Sequence, residues 1–459
     1  MKESAFLLNL SRGGVVNESE FAEAVRKKQI AGGALDVFAK EPPEITDDIF
    51  QTGKCDPDTA YRIKHRGMHG KNCNGCCKGC RSCTFRRRSE TSDQTVKQEV
   101  QKMEKVILDP AIKFGAGRYR QEEHLLEECG KEIARFGKKP YIIAGKRAWE
   151  AVRERLVPGM EEEKLEYVLE IYPGTCSYEA AKEYAEKCIQ VRCDEIVGIG
   201  GGVIMDFAKA VGEYAGCGVV NIPTSIATCA AFTTMSVMYT PEGAKKDCWR
   251  FEHEIDAVLV DLDVIAKCPI RYAAAGILDA MAKKIEIQNG KPKMYLTENK
   301  IDLFSAYKMA EYTYEVLEEF GPQAIEDIRK QKVTKAVADI TFINIAVTGV
   351  IANITKSFSQ SALGHMMYDG VRTHFTQEAK GALHGEIVAV ALFTQLYYNR
   401  LSEDKEALKL FMKGMDMPLS LKELGVEPTE KNLDTLEAYL IDSPYVEQSE
   451  EVTSFFMRQ

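Results

Sequence analysis

No apolar run of eighteen or more occurs in the 459 residues, so no membrane-spanning helix is expected. The opening MKESAFLLNLSRGG has too short an apolar stretch and no small-residue cleavage site, so it does not read as a secretory signal, and the cytoplasm is the expected location. An excess of positive charge is also missing. The net charge of −9 gives the chain as a whole no attraction for nucleic acid or an anionic membrane, and neither is expected as a partner. Residues 61–88 are the local exception, with nine Lys and Arg and no Asp or Glu. A disulfide framework is not indicated. Of fourteen cysteines, most of the eight after residue 105 are scattered through apolar or helical text, which suits reduced thiols in a cytosolic enzyme. Internal repeats are absent too.

What is present divides by texture. A chain of this length suggests roughly two or three domains, and 45% hydrophobic residues allow a sizeable core. Residues 1–43 hold a strand-like run, a polar turn, the helical stretch ESEFAEAVRKKQ and a second strand-like run, GGALDVF. Residues 44–104 show little apolar periodicity and read as a basic, Cys-rich linker. Within them CNGCCKGCRSC places Cys73, Cys76, Cys77, Cys80 and Cys83 in three interlocking CxxC pairs, a pattern able to clasp zinc or an iron–sulfur cluster. The spacing completes no finger or ferredoxin, and the segment is read as an insert. From 105 to 268, β-branched runs such as KPYIIAG, DEIVGIGGG, GVVNIPT and DAVLVDLDVI alternate with amphipathic helices, which predicts an α/β domain with a parallel sheet. From 269 to 459 the strand signals stop, and an all-helical domain is expected.

EIVGIGGGVIMDFAKAV has the order that a phosphate site requires: a β-run ending at Ile199, then Gly200, Gly201 and Gly202, then a helix from about Val203. Glycines let a pyrophosphate approach the backbone, and a helix N-terminus offers N–H groups and a positive dipole end. The loop is neither GxGxxG nor a P-loop. Its continuation is more specific. GGGxxxDxxK, completed by Asp206 and Lys209, resembles the nucleotide loop of the iron-containing alcohol dehydrogenase and glycerol dehydrogenase superfamily. IPTSIATCAAFTTMSVMYT, with Thr224, Ala227, Thr233, Met235 and Tyr239, resembles that family's second cofactor segment. RYAAAGILDAMAKKIEI resembles the helix bearing its metal-binding aspartate, and GHMMYDG and LHGEIVAVA resemble its two metal-binding histidine segments. The resemblance covers residues 105–459 in the family's order. It implies NAD(P), one divalent metal, a homo-oligomer and an architecture like that of dehydroquinate synthase.

Asp279, His365 and His384 are the metal candidates this yields. One carboxylate and two imidazoles suit a borderline ion, zinc favoured over iron, and leave a position open for water or substrate. Taken singly, each residue reads better as a surface acid or a satisfied histidine. His374 is a further candidate near the site, although the resemblance does not make it a ligand.

Three departures from the family bear on the substrate. Where glycerol dehydrogenases carry an aspartate that contacts the polyol, this chain has Cys229, and a thiol is a poor substitute acceptor. Where NAD-preferring members carry an aspartate toward the adenosine ribose, Gly145 stands, followed by Lys146 and Arg147, which leaves a 2′-phosphate tolerable. One helical turn after Asp279, where four-ligand iron enzymes place a histidine, the residue is Lys283. A spacing of four puts its ammonium on the aspartate's face. TCAA together with that lysine resembles the hydroxycarboxylate dehydrogenase branch, so a small 2-oxo or 2-hydroxy acid is the expected substrate. A polyol or other alcohol is the alternative, and a non-redox lyase of the dehydroquinate synthase type a further one.

LNLSRGGVVNESEFAEAVRKKQIAGGALDVFAKEPP is similar to the end of the nucleotide-binding domain of D-2-hydroxyacid dehydrogenases. Arg12 would match the substrate-carboxylate arginine, Asp36 the residue on the nicotinamide side, and Glu41 the acid that orients a catalytic histidine. No TPH segment supplying that histidine follows. The stretch is therefore read as a fragmentary extension in front of a separate metal-dependent enzyme.

Overall fold

The computed structural model describes residues 2, 5–9, 15–35, 112–241, 243–356 and 359–447. The chain divides into two compact units, Met1–Asp109 and Pro110–Gln459. Arg12, Asp36, Glu41 and the Cys73–Cys83 cluster lie outside the described residues.

In the first unit, β1 (Phe6–Asn9) pairs in parallel with β2 (Gly32–Leu35), and the helix Glu18–Arg26 lies between them in sequence. Asn17 starts that helix by accepting the Glu20 N–H with its side chain. Its apolar stripe buries Phe21 and Ala22 beside Ile30.

The second unit is built on a six-stranded sheet in the order β3-β10-β7-β6-β4-β5, every neighbouring pair parallel. The strands are β3 (Arg118–Glu122), β4 (Pro140–Ala144), β5 (Val168–Ile171), β6 (Glu195–Gly200), β7 (Gly218–Pro223) and β10 (Ala257–Asp261). β4, β6 and β10 are buried at every residue, so apart from Glu195 and Asp261 at two strand ends they read as apolar runs rather than alternating ones. The edge strand β3, RYRQE, had no such signature. It is held by Arg118 and Arg120, which pair with Glu132 at 2.7 and 3.1 Å. Between β7 and β10 an antiparallel hairpin, β8 (Met235–Tyr239) and β9 (Lys245–Arg250), stands apart from the main sheet.

Among the described residues only helices follow Asp261. The helix Ile270–Gln288 is the axis of this part, buried at almost every position from Ala273 onward. It packs against Ile301–Arg329 and His384–Tyr398. Two glycines set the closest approaches. A Cβ on Gly276 would fall 1.9 Å from the Ile226 carbonyl oxygen, and one on Gly385 would fall 2.1 Å from that of Ala275. The cofactor segment, the aspartate helix and the second histidine helix therefore touch backbone to backbone. The helical stretch Lys335–Ile354 is long and apolar enough to cross a membrane, but two thirds of it is buried inside the protein, as a core helix is.

Candidate active site

β6 ends at Gly200, and the helix Gly202–Ala215 begins beside it with Gly201 as its N-cap. No side chain caps that helix, so its N-terminus is left to the backbone. Glycine is required by packing at Gly200, where a Cβ would meet Ile204 at 2.8 Å. Gly201, Gly202 and the half-exposed Val203 open onto a cavity of about 720 Å³. Asp279, His365 and His384 lie on the wall of the same cavity.

The ligand atoms of those three residues all lie within 4.8 Å of one another. Asp279 Oδ1 is 3.5 Å from His365 Nε2 and 3.3 Å from His384 Nε2. Lys283, one turn along the same helix, brings its ammonium to 3.2 Å from Asp279 Oδ1 and 3.0 Å from His365 Nε2. Asp279 and Lys283 are only 4% and 2% exposed, so this is an ion pair inside the protein. Burial pushes the Asp279 carboxyl up, but Lys283, His384 and His365 together outweigh it and hold the group well below the usual carboxylate range. Burial alone would lower the Lys283 ammonium; Asp279, then Glu286 and Cys229, keep it raised. Burial lowers His384, against the pull of Asp279. The Cys229 thiol, at the edge of this group, is pushed up to about 11 by burial.

His365 is fixed from behind, and His384 by the turn that carries it. His365 Nδ1 stands 2.6 Å from Glu286 Oε2, while Glu286 Oε1 accepts the backbone N–H groups of Ala362 and His365 at 2.7 and 2.9 Å. A carboxylate can only accept, so Nδ1 carries the proton and Nε2 turns a lone pair toward Asp279 and Lys283. His384 is the first residue of its helix. Glu386 holds that turn by accepting the Leu383 N–H at 2.7 Å and the Arg271 guanidinium at 2.6 Å. The Tyr368 ring stands edge-on to His384 with centroids 4.2 Å apart, and its hydroxyl lies 3.1 Å from that of Tyr239.

One carboxylate and two imidazoles, open on the cavity side and with Glu286 behind His365, make a donor set that suits a divalent ion of the zinc or iron kind. A glycine loop leads into the same cavity. Residues 116–262 match the iron-containing alcohol dehydrogenase family.

Residues 1–55 match the NAD-binding domain of D-isomer specific 2-hydroxyacid dehydrogenases. The chain is 29% identical over 316 residues to a glycerol dehydrogenase of Thermotoga maritima, covering 68% of this chain and 84% of that one. It is 29% identical over 285 residues to hydroxycarboxylate dehydrogenase A of Escherichia coli, covering 62% and 77%. A probable glycerol dehydrogenase from Sinorhizobium meliloti shares the fold, with a TM-score of 0.64 and 24% identity over 73% of this chain and 92% of that one.

Of the residues singled out from sequence, Gly201, Gly202, Val203, Asp206, Ala227, Cys229, Thr233, Met235 and Tyr239 line the cavity of this dehydrogenase-like unit, as do the three candidate ligands and Lys283. Gly145, Gly200, Thr224 and Lys209 stand behind the lining. Gly145 caps the helix Lys146–Glu162 and donates its N–H to the Ile199 carbonyl. A Cβ there would meet only ordinary contacts, so what glycine contributes at 145 is the absence of an acidic side chain. The Thr224 N–H bonds the Gly200 carbonyl, joining the two cofactor segments. Lys209 is a staple: its ammonium pairs with Asp206 at 2.9 Å and donates to the carbonyls of Ala230, Thr233 and Met235.

His374 is not near the site. It lies nine residues after His365 on one helix, a rotation of roughly 180°, and its exposed ring meets Tyr439 and Phe375 edge to face instead. Lys284 also turns away, over the Tyr314 ring. Sequence reasoning passed over Glu286, Glu386, Arg271 and Tyr368. Glu286 carried a usable signal, since it follows Asp279 and Lys283 at a spacing that keeps all three on one face of an otherwise apolar helix.

Proposed function

We propose that residues 110–459 form a metal-dependent, NAD(P)-linked oxidoreductase that interconverts a small 2-oxo acid and the corresponding 2-hydroxy acid. The observation that carries this reading is the buried Lys283 ammonium in contact with Asp279 and His365, on the wall of the cavity that also takes in the glycine loop. Similarity to a glycerol dehydrogenase and to a hydroxycarboxylate dehydrogenase supports the oxidoreductase class. Asp279, His365 and His384 would hold the metal, zinc being favoured over iron, and a bound metal would supply Lewis acidity toward the substrate oxygen.

The chain's own residues do the rest. Gly201, Gly202 and the helix behind them would receive the cofactor's pyrophosphate, and NAD(P) bound there would supply the hydride donor or acceptor. Lys283 attracts the substrate carboxylate, and Cys229 leaves the adjacent wall without the acid that would repel it. One 2-oxo acid, one NAD(P)H and one proton give one 2-hydroxy acid and NAD(P)+. The lack of an acid at Gly145, with Lys146 and Arg147 beside it, admits NADP as well as NAD. Lys245, Arg250, Arg372 and the exposed Lys380 also line the cavity, but the first three are tied to protein acceptors: Asp369, the Lys356 carbonyl and the Ala379 and Ala382 carbonyls respectively. That commitment disfavours a lyase gripping a substrate phosphate. The same reading makes the protein a cytoplasmic homo-oligomer acting on small molecules.

A polyol substrate is the second reading, supported by the glycerol dehydrogenase relatives. Nicotinamide absorbance with NADH and NADPH against 2-oxo acids, dihydroxyacetone and simple aldehydes, before and after chelation, separates the two. Lys283→Met should raise KM for oxo acids by about tenfold or more, as loss of a charge-assisted contact does, while neutral ketones change little. Equal effects on both classes would remove the carboxylate role, and turnover that survives complete metal removal would remove the metal.

A further inference from the structure

We propose that Lys283 is a built-in competitor for the metal ligands: its ammonium binds the two atoms, Asp279 Oδ1 and His365 Nε2, that a divalent ion would need, so metal binding has to displace it. The inference rests on the metal reading above and goes beyond it.

Asp279 is buried, and a buried carboxylate needs a positive partner or a full set of donors. Lys283 is that partner at 3.2 Å. His365 has its Nδ1 proton committed to Glu286, so its Nε2 can only accept, and the Lys283 ammonium is the donor placed 3.0 Å from it. Two of the three candidate ligands are thus already satisfied by a cation carried on the aspartate's own helix. A dication at the centre of the triad would lie within a few ångströms of the ammonium, and like charges in so dry a place repel strongly. The flexible four-carbon stem gives the lysine somewhere to go, because Lys283 also lines the cavity next to Cys229.

Two linked consequences follow. The ligand set stays electrostatically balanced before metal arrives, so the protein does not need the ion to fold. Displacement also frees the ammonium on the cavity side where a substrate carboxylate would meet it, so metal binding should precede tight binding of an oxo acid.

The test uses the full chain stripped with a chelator and then titrated with zinc, in wild type, Lys283→Met, Lys283→Gln and Asp279→Asn. Zinc affinity is read by competition with a fluorescent zinc chelator, and the thermal midpoint is measured with and without zinc. Lys283→Met and Lys283→Gln should bind zinc at least about tenfold more tightly than wild type, as removal of an adjacent like charge requires. Their Tm should fall relative to wild type in the stripped protein and recover on zinc addition, with the smaller fall for Lys283→Gln, which keeps a donor for His365. Zinc bound by wild type and both lysine variants with equal affinity, but lost in Asp279→Asn, would overturn the competition while leaving the metal site standing. Zinc bound no better by any of them than by Asp279→Asn would overturn both.

Discussion

Glu286→Gln tests whether the tautomer of His365 is set from behind, because the substitution keeps the shape and reverses one donor. Glu286 is fully buried and accepts three hydrogen bonds, two from backbone N–H groups through Oε1 and one from His365 Nδ1 through Oε2. A glutamine can keep its oxygen against the two backbone donors only by turning its NH₂ toward Nδ1. The ring must then carry its proton on Nε2, and the lone pair facing Asp279 and Lys283 is lost. Loss of an outer carboxylate of this kind typically costs 10- to 100-fold in metal affinity, or about 1.4–2.7 kcal/mol. Folding should suffer much less, because the backbone N–H groups of Ala362 and His365 keep their acceptor. Glu286→Ala removes that acceptor too, and each orphaned N–H adds about 1–3 kcal/mol of instability. Zinc competition and thermal unfolding on both variants should therefore split: glutamine weakens zinc with a small change in Tm, and alanine lowers both. Glutamine that lowers Tm as much as alanine and leaves zinc affinity untouched would refute the argument and make Glu286 a purely structural residue.

Further expectations concern the frame around the site. Burial, reinforced by Asp256 and Asp194, pushes the Glu195 carboxyl up to about 9, and neither of its oxygens has a hydrogen-bond partner. Below its ordinary value of 4.5 the folded and unfolded chains both hold the proton; from there to about 9 only the folded chain does, so stability falls as pH rises through that window. Glu195→Gln should remove this slope, with a gain on the order of 3 kcal/mol at pH 8 relative to pH 5 in denaturant unfolding; a gain independent of pH would contradict it. Gly276→Ala drives a methyl into the Ile226 carbonyl and should cost about 3 kcal/mol or more, read as a lowered Tm, whereas alanine at Gly414, where a Cβ meets nothing within 4 Å, should be nearly silent. Deleting residues 1–104 should leave turnover by the 110–459 unit intact; a well-folded truncation without activity would show that the N-terminal segment takes part in the reaction.

The sheet was largely legible because parallel strands buried on both faces are mostly apolar, and β4, β6, β7 and β10 are, apart from Glu195, Asn221 and Asp261. β3 escaped because an edge strand can be held by ion pairs, and its arginines reach Glu132 rather than a core. β9, KKDCWR, was hidden for a similar reason: it is half-exposed and polar, and it pairs only with its hairpin neighbour. At the site, motif order brought out Asp279, His365 and His384 together. The four-residue spacing placed Lys283 on the aspartate's face, but face alone did not show that its ammonium would touch His365, which is contributed by a different helix. Arg271 and Glu386 are 115 residues apart, so no local pattern could announce their pairing. His374 failed for the converse reason: nearness in sequence was weighed, and the helix turns it to the opposite side.

The glycine contacts at 276 and 385 also say where this enzyme can be altered. Because the cofactor segment, the aspartate helix and the second histidine helix rest on one another through main-chain atoms, their spacing does not depend on which side chains project into the cavity. Residues 229 and 283, proposed to face the substrate, are therefore the positions that a library aimed at new substrates should vary first, with zinc supplied, because the metal-stripped Lys283 variants are expected to lose stability. A library that touched the glycines would instead sample differences in folding and would report little about specificity.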